Sequence, residues 1–186
     1  MLKIKPKIFL ETERLILREL LPRDAEDLFV LDSDPEVHRY LGNKPITNIQ
    51  QCKDVITFVR EQYKTNGIGR WAMEEKESGK FIGWAGLKYF TEEVNNHIHF
   101  YDVGYRLIQK YWGKGYATEA AIASIVYGFN ILKAKEIYGM IDSGNAASRK
   151  VLEKAGLRHV GPFLFEGDPS DWFKITREEF LKLTQH

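Results

Sequence analysis

The sequence predicts one α/β domain, of the α+β kind in which helices and strands come partly in separate runs. Three observations point there. The chain has 186 residues, about what one domain needs. At 44% hydrophobic and 28% charged it can bury a core and stay soluble, and no repeat, low-complexity tract or linker divides it. Its patterns fall in a definite order: helices early, a meander of strands in the middle, then two strand–helix units.

Arg14–Leu20 (RLILREL) is rich in branched apolar residues and reads as the first strand. Pro22 stops it, and Asp24–Leu31 forms a short helix. Asp34-Pro35, an N-cap followed by proline at the first helical position, starts another over Glu36–Leu41. Thr47 and Gln50 have capping-box spacing and open a helix whose apolar residues Cys52, Val55, Ile56, Val59 and Tyr63 run to Gly67. Cys52 falls on the buried face and reads as packed rather than reactive. Three strands follow, Arg70–Glu75, Phe81–Tyr89 and His97–Ile108, with KESGK (76–80) as the turn between the first two. Helix Lys114–Leu132 places Ile122, Ile125, Phe129 and Leu132 on one face. Strand Glu136–Ile141, helix Ala146–Ala155 with Gly156 as cap, strand Arg158–Phe165, a short strand Asp171–Ile175 and a terminal helix complete the chain.

Charge and composition exclude several classes. The 27 basic and 26 acidic residues leave +1, which argues against nucleic acid as the main partner. A single cysteine excludes an intrachain disulfide and suits a reducing compartment. The longest apolar stretch, Ala120–Leu132, is broken by Ser124, Gly128 and Asn130 and is too short to span a membrane. The N-terminus has no signal-peptide core, so the expected location is the cytoplasm. His97 and His99 alternate and could share a strand face, yet no third ligand stands at metal spacing, and no metal is expected.

The stretch Gln109–Ala120 (QKYWGKGYATEA) carries the chemistry. Glycines ahead of a helix remove the Cβ atoms that would hold an anion away from unpaired N–H groups at the positive end of the helix dipole. A bare G-x-G is equally a tight turn. The spacing matches neither the triphosphatase loop nor the dinucleotide fingerprint, which wants Gly or Ala where Thr118 stands.

DVGYRLIQKYWGKGYATEA (102–120) resembles the acetyl-CoA-binding motif of the GNAT superfamily of N-acetyltransferases. GNAASRKVLEKAGL (144–157) is similar to that family's second conserved helix. TERLILREL (12–20) and DPEVHRYL (34–41) extend the likeness to its RimJ/RimL branch, named for acetylating ribosomal-protein N-termini. The resemblance implies a single domain on a mixed, mostly antiparallel sheet of about seven strands, splayed between the fourth and fifth and flanked by helices. It implies acetyl-CoA as acetyl donor. Leu107 and Ile108 would offer backbone hydrogen bonds to the pantetheine and the thioester carbonyl. Gln109 and the run Trp112, Gly113, Lys114, Gly115, Tyr116 and Ala117 would surround the pyrophosphate, and Asn145 and Ser148 would contact the cofactor from the neighbouring helix. Lys150 and Lys154, four residues apart, either face an adenosine phosphate or are solvated lysines offset by Glu153.

Two departures from the family pattern matter. Lys110 stands where Gln or Arg is common, and Leu152 where many relatives carry a tyrosine that protonates the leaving thiolate. The RimJ/RimL resemblance implies that Ser148, three residues after Asn145, offers the acid instead, directly or through water; the other reading is a plain helix-capping serine. Candidate bases are Glu166, Asp102 (where relatives often have Glu), Glu74 and Glu92. Tyr40, Trp71, Phe90 and Tyr101 either line the acceptor cleft or pack in the core. The acceptor implied is a protein N-terminal α-amine. A small amine such as a polyamine, amino acid or aminoglycoside is the enzymatic alternative, and a non-catalytic acyl-CoA-binding module the other. The protein is expected to act as a monomer or homodimer, with neither nucleic acid nor membrane as partner.

Overall fold

A computed structural model describes residues 5–184. Its strands are β1 (Ile8–Glu11), β2 (Leu15–Arg18), β3 (Trp71–Glu75), β4 (Lys80–Phe90), β5 (Phe100–Leu107), β6 (Glu136–Asp142), β7 (Arg158–Phe165) and β8 (Asp168–Thr176). They form one eight-stranded sheet in the order β1-β2-β3-β4-β5-β6-β8-β7. All neighbours are antiparallel except β5 and β6. The strand beyond the expected number is β1, which hairpins onto β2. Its four residues have no buried member, which is why apolar alternation did not reveal it.

The helices are α1 (Ala25–Asp32), α2 (Pro35–His38), α3 (Ile49–Thr65), α4 (Tyr116–Asn130), α5 (Ala146–Lys154) and α6 (Arg177–Leu183). One core layer joins Leu15, Leu17, Met73, Leu87 and Val103 of the sheet to α4, Leu152 of α5 and Phe180 of α6. A second joins Leu28 and Leu31 of α1, Val37 of α2 and Cys52, Ile56 and Val59 of α3 to Ala72 and Phe81 on the other face.

Boundaries shifted where caps decided them. The capping box of α3 is Asn48 with Gln51, one residue beyond the expected pair, and Val55 is 39% exposed rather than in the buried stripe. Helix α2 is a single turn capped by Asp34, whose carboxylate accepts the Glu36 N–H at 2.9 Å. The chain then turns through Gly42 and Asn43, both with positive φ.

The buried face of α4 is Tyr116, Ala120, Ala121, Ser124, Ile125, Gly128 and Phe129, while Ile122 is 43% exposed. Small residues therefore set the packing. A Cβ on Gly128 would lie 2.6 Å from Ile137 Cδ1 and 2.8 Å from Leu87 Cδ1, so α4 rests directly on β4 and β6. The parallel seam between β5 and β6 is short. Only Tyr101 with Ile137 and Asp102 with Tyr138 are in register, and beyond them the strands part.

Candidate functional site

The parting of β5 from β6 leaves backbone polar groups of β5 facing a gap. The Ile108 N–H donates to the Ile82 carbonyl at 3.0 Å, which makes Leu107 and Gly83 a non-hydrogen-bonded antiparallel pair. Leu107 therefore turns its N–H away from β4, into the gap. Its carbonyl, on the same side, accepts the Trp112 indole N–H at 2.8 Å. The expectation for Ile108 is corrected here. Its N–H is spent on Ile82 and its carbonyl accepts the Tyr111 N–H at 2.9 Å, so of these two residues Leu107 is the one whose N–H is turned into the gap.

Past a 3₁₀ turn at Gln109–Tyr111, the chain enters the glycine loop. Gly113 (φ 72°) and Gly115 (φ 83°) both occupy the left-handed region that glycine adopts without a Cβ penalty. The Trp112 N–H is tied to the Gln109 carbonyl at 3.0 Å. Among the described residues, the N–H groups from Gly113 through Thr118 donate to no acceptor, and the first backbone bond of α4 is Glu119 N–H to Gly115 carbonyl at 3.0 Å. The N-cap is Gly115, which has no side chain to cap with. An exposed helix start with a run of free N–H groups is an anion cradle. Such a cradle fits a diphosphate like that of acetyl-CoA.

The other lip of the gap is the start of α5. Asn145 caps it, its Oδ1 accepting the Ser148 N–H at 3.0 Å. The Ser148 hydroxyl is half-buried and makes no bond among the described residues, while the Ser148 carbonyl accepts the Tyr105 hydroxyl at 2.9 Å. Tyr105, which pattern reading left unassigned, thus crosses from β5 to α5, and burial pushes its phenol well above the usual range. Leu152 is a core residue at 1% exposure. A groove of about 550 Å³ leads from Gly115 along Thr118, Ile122 and Ala123 to Lys154. Lys150 is exposed on the same helix and does not line it.

An unanticipated arginine stands against the loop. Arg14 Nη1 donates to the Lys114 carbonyl at 2.9 Å, and its Nε donates to Glu119 Oε2 at 2.7 Å. Burial works to raise the Glu119 carboxyl, but bonds from the Thr12 hydroxyl and from Arg14 outweigh it and hold Glu119 below its ordinary value. Nothing in one sequence links residues this far apart.

The face of β5 toward α1–α3 carries charge already matched. Asp102, 5% exposed, is bound by Arg70, which also donates to the Asp102 and Gly86 carbonyls. Burial pushes the Asp102 carboxyl above its ordinary value; Arg70, then Lys88 and the Met140 N–H, pull it back only in part, and Asp102 Oδ1 has no hydrogen bond of good geometry. Arg106 bonds Asp32 at 2.6 Å, and Glu74 is held by Arg18 at 2.9 Å, which also holds Asp24 at 2.8 Å. Glu92 is exposed and accepts from its neighbour Thr91. Glu166 is exposed in the two-residue β7–β8 turn with φ 52°, and its charge is felt at Lys88 on β4.

Of the aromatic candidates, Trp71 and Phe90 are core residues, and Tyr101 packs on Tyr89. Tyr40 is 37% exposed and lies 3.4 Å from the position a Gly144 Cβ would take. Cys52 is fully buried, and burial pushes its thiol up to about 11. The two histidines do not share a strand: both precede β5, His99 has φ 57°, and His97 packs on Tyr138 and Trp172. Among the described residues, no three His, Cys, Asp or Glu side chains group as a metal site.

Residues 14–158 match the acetyltransferase (GNAT) domain family. The chain is 33% identical over 153 residues to the uncharacterized N-acetyltransferase YoaA of Bacillus subtilis, covering 82% of this chain and 84% of that one. It is 31% identical over 192 residues to the FsC-acetyl coenzyme A-N(2)-transacetylase of Aspergillus fumigatus, covering 97% and 81%. The fold matches spermidine N-acetyltransferase from Vibrio cholerae in complex with CoA and spermine with a TM-score of 0.73, at 18% identity over 91% of this chain and 99% of that one. Fold, cradle and relatives agree: the chain belongs to the GNAT family and is an acetyl-CoA-dependent N-acetyltransferase.

Proposed function

We propose that the acceptor is a protein N-terminal α-amine, as in the RimJ/RimL branch. The observation that carries this is the pairing of carboxylates on the face beside the gap. Asp32, Asp102, Glu74 and Asp24 are each engaged by an arginine, so among the described residues these leave no unpaired buried carboxylate for the second charge of a polycationic acceptor. An α-amine with pKa near 8 is about 10–20% neutral at pH 7, against about 0.04% for a lysine-like amine, so it needs only a weak base. A 27% identical Bacillus subtilis relative, YdaF, with a provisional ribosomal N-acetyltransferase name, adds support.

Bound acetyl-CoA supplies an acetyl thioester. In this reading the N–H groups from Gly113 to Ala117 hold its diphosphate, with Gln109 and Trp112 at the rim of the loop. Lys154, at the far end of the groove, lies toward the adenosine end, and Asn145 flanks the pantetheine arm. The Leu107 N–H meets the negative charge that develops on the thioester oxygen. Ser148, directly or through water, returns a proton to the departing sulfur, the role Leu152 cannot fill. Glu166, exposed in the β7–β8 turn, takes the proton of the acceptor amine. Asp102 braces the fork with Arg70 rather than acting as base.

The Aspergillus relative, whose name places its acetyl on N(2) of FsC, favours a small-molecule amine as the second reading. Free thiol released from acetyl-CoA separates the two. Octapeptides with free α-amines, their blocked counterparts, spermidine, amino acids and ribostamycin are compared at equal concentration. Higher kcat/KM for free-amine peptides is expected, and a higher value for any small amine would overturn the assignment.

A further inference from the structure

The TERLILREL stretch is the matched segment for which the site above has no use, and its arginine touches the cofactor loop. We propose that Arg14 is a positioning residue for the CoA diphosphate: it aims the Lys114–Gly115 peptide and cancels the Glu119 charge that would oppose the anion. The proposal rests on the reading that the glycine loop holds that diphosphate.

The geometry has two parts. First, Arg14 Nη1 holds the Lys114 carbonyl at 2.9 Å. In a trans peptide C=O and N–H point in opposite directions, and the described chain has no cis bond. Fixing that oxygen toward Arg14 therefore aims the Gly115 N–H away from it, into the loop. Gly115 itself is flexible backbone, so without the tether the peptide plane is free to flip.

Second, Glu119 lies in the first turn of α4, near the N–H groups that would receive the phosphates. A free carboxylate there would satisfy the helix dipole and repel the ligand. Arg14 engages it through Nε at 2.7 Å and Nη2 at 2.6 Å, and its own N–H donates to Glu119 Oε1 at 3.0 Å. The Thr12 hydroxyl donates to the same Oε1 at 2.5 Å. The guanidinium lies 4.4 Å from the Tyr116 ring centre, stacked on the first residue of the helix. Every group of the Arg14 side chain is thus spent on the loop or on α4's first turn. The arginine side chain stays 41% exposed, so the pair adds little to fold stability, and its effect should appear in binding.

The test uses the full chain as wild type, Arg14→Ala, Arg14→Lys, Glu119→Gln and Arg14→Ala/Glu119→Gln. Acetyl-CoA binding is measured by calorimetry, and turnover with acetyl-CoA and with S-acetylpantetheine, which lacks the diphosphate. Arg14→Ala is expected to weaken acetyl-CoA binding 10- to 100-fold and raise its KM equally. Its kcat at saturation and its kcat/KM with S-acetylpantetheine should stay within 2-fold of wild type. The double variant should regain part of the loss, because the unopposed carboxylate is gone, and Arg14→Lys should fall between. Unchanged acetyl-CoA affinity in Arg14→Ala, or an equal loss with both donors, would overturn the proposal. If wild type itself gains nothing from the diphosphate, the two donors having equal KM, the loop reading fails and the proposal with it.

Discussion

Replacing Arg70 with methionine tests how the fork of the sheet is held. Arg70 and Asp102 side chains are 15% and 6% exposed, so solvent screens the pair little. Methionine removes the guanidinium that lies over Trp84 and leaves the Asp102 charge buried, with one oxygen already lacking a partner. Removing one member of such a pair costs about 3–5 kcal/mol. At about 2–4 °C per kcal/mol for a chain of this size, the midpoint falls by about 6–20 °C. The pH dependence follows with a definite sign. Burial already holds the Asp102 carboxyl above its ordinary value in wild type, and without the cation only Lys88 and the Met140 N–H oppose it, so the folded-state pKa moves further above the value of about 3.9 in the unfolded chain. The folded variant then keeps its proton to higher pH than folded wild type, and its deficit relative to wild type grows as pH rises through the wild-type folded-state value toward the variant's. Thermal melts of wild type, Arg70→Met, Asp102→Leu and the double variant between pH 4.5 and 8 measure this. A deficit independent of pH, or one not relieved in the double variant, would refute the account of Arg70 as a counter-charge.

Three further outcomes are expected. Ser148→Ala should lower kcat about 10²-fold, the low end for a general acid, and leave the melting point unchanged because Asn145 supplies the helix cap; stopped assays and melts decide it. Gly115→Ala forces a Cβ into the left-handed region at about 1–2 kcal/mol, with the new carbon only 3.4 Å from Arg14 Nη2, so both melting point and acetyl-CoA affinity should fall. His38 is 7% exposed, its Nε2 standing 3.6 Å from Asp32 Oδ1 and neither ring nitrogen in a hydrogen bond of good geometry; burial and then Arg106 lower its pKa, against Asp32 and Asp34. The folded state therefore binds this proton less readily than the unfolded chain, and stability falls as pH drops below about 6.5 toward the folded-state value. Melts of His38→Asn against wild type should show that slope reduced.

Local chemistry was legible and distant pairing was not. The glycines at 113 and 115 announce a positive-φ turn ahead of a helix because that constraint lies within a few residues, and the structure has both. The strand Arg158–Phe165 was read to the residue. The Arg14–Glu119 contact joins a hairpin turn to a helix 105 residues away, and no spacing rule reaches that far. Ile122 fits a helical stripe yet is exposed, because Ala120, Ala121, Ser124 and Gly128 bring α4 so close to the sheet that the buried face is set by smallness rather than greasiness. Ile108 shows a third limit: which backbone groups are free depends on strand register, and register appears only when the neighbour is known.

The two-residue seam between β5 and β6 has a consequence for how the molecule comes apart. The sheet is in effect two plates, β1–β5 and β6–β8, sharing one short hinge and one helix, α4, laid across both. With so few hydrogen bonds to propagate an opening from plate to plate, amides on the two sides should exchange with solvent on separate schedules. A ligand lying between them is then a stitch: it makes two semi-independent units melt as one, beyond the stabilisation that binding alone confers.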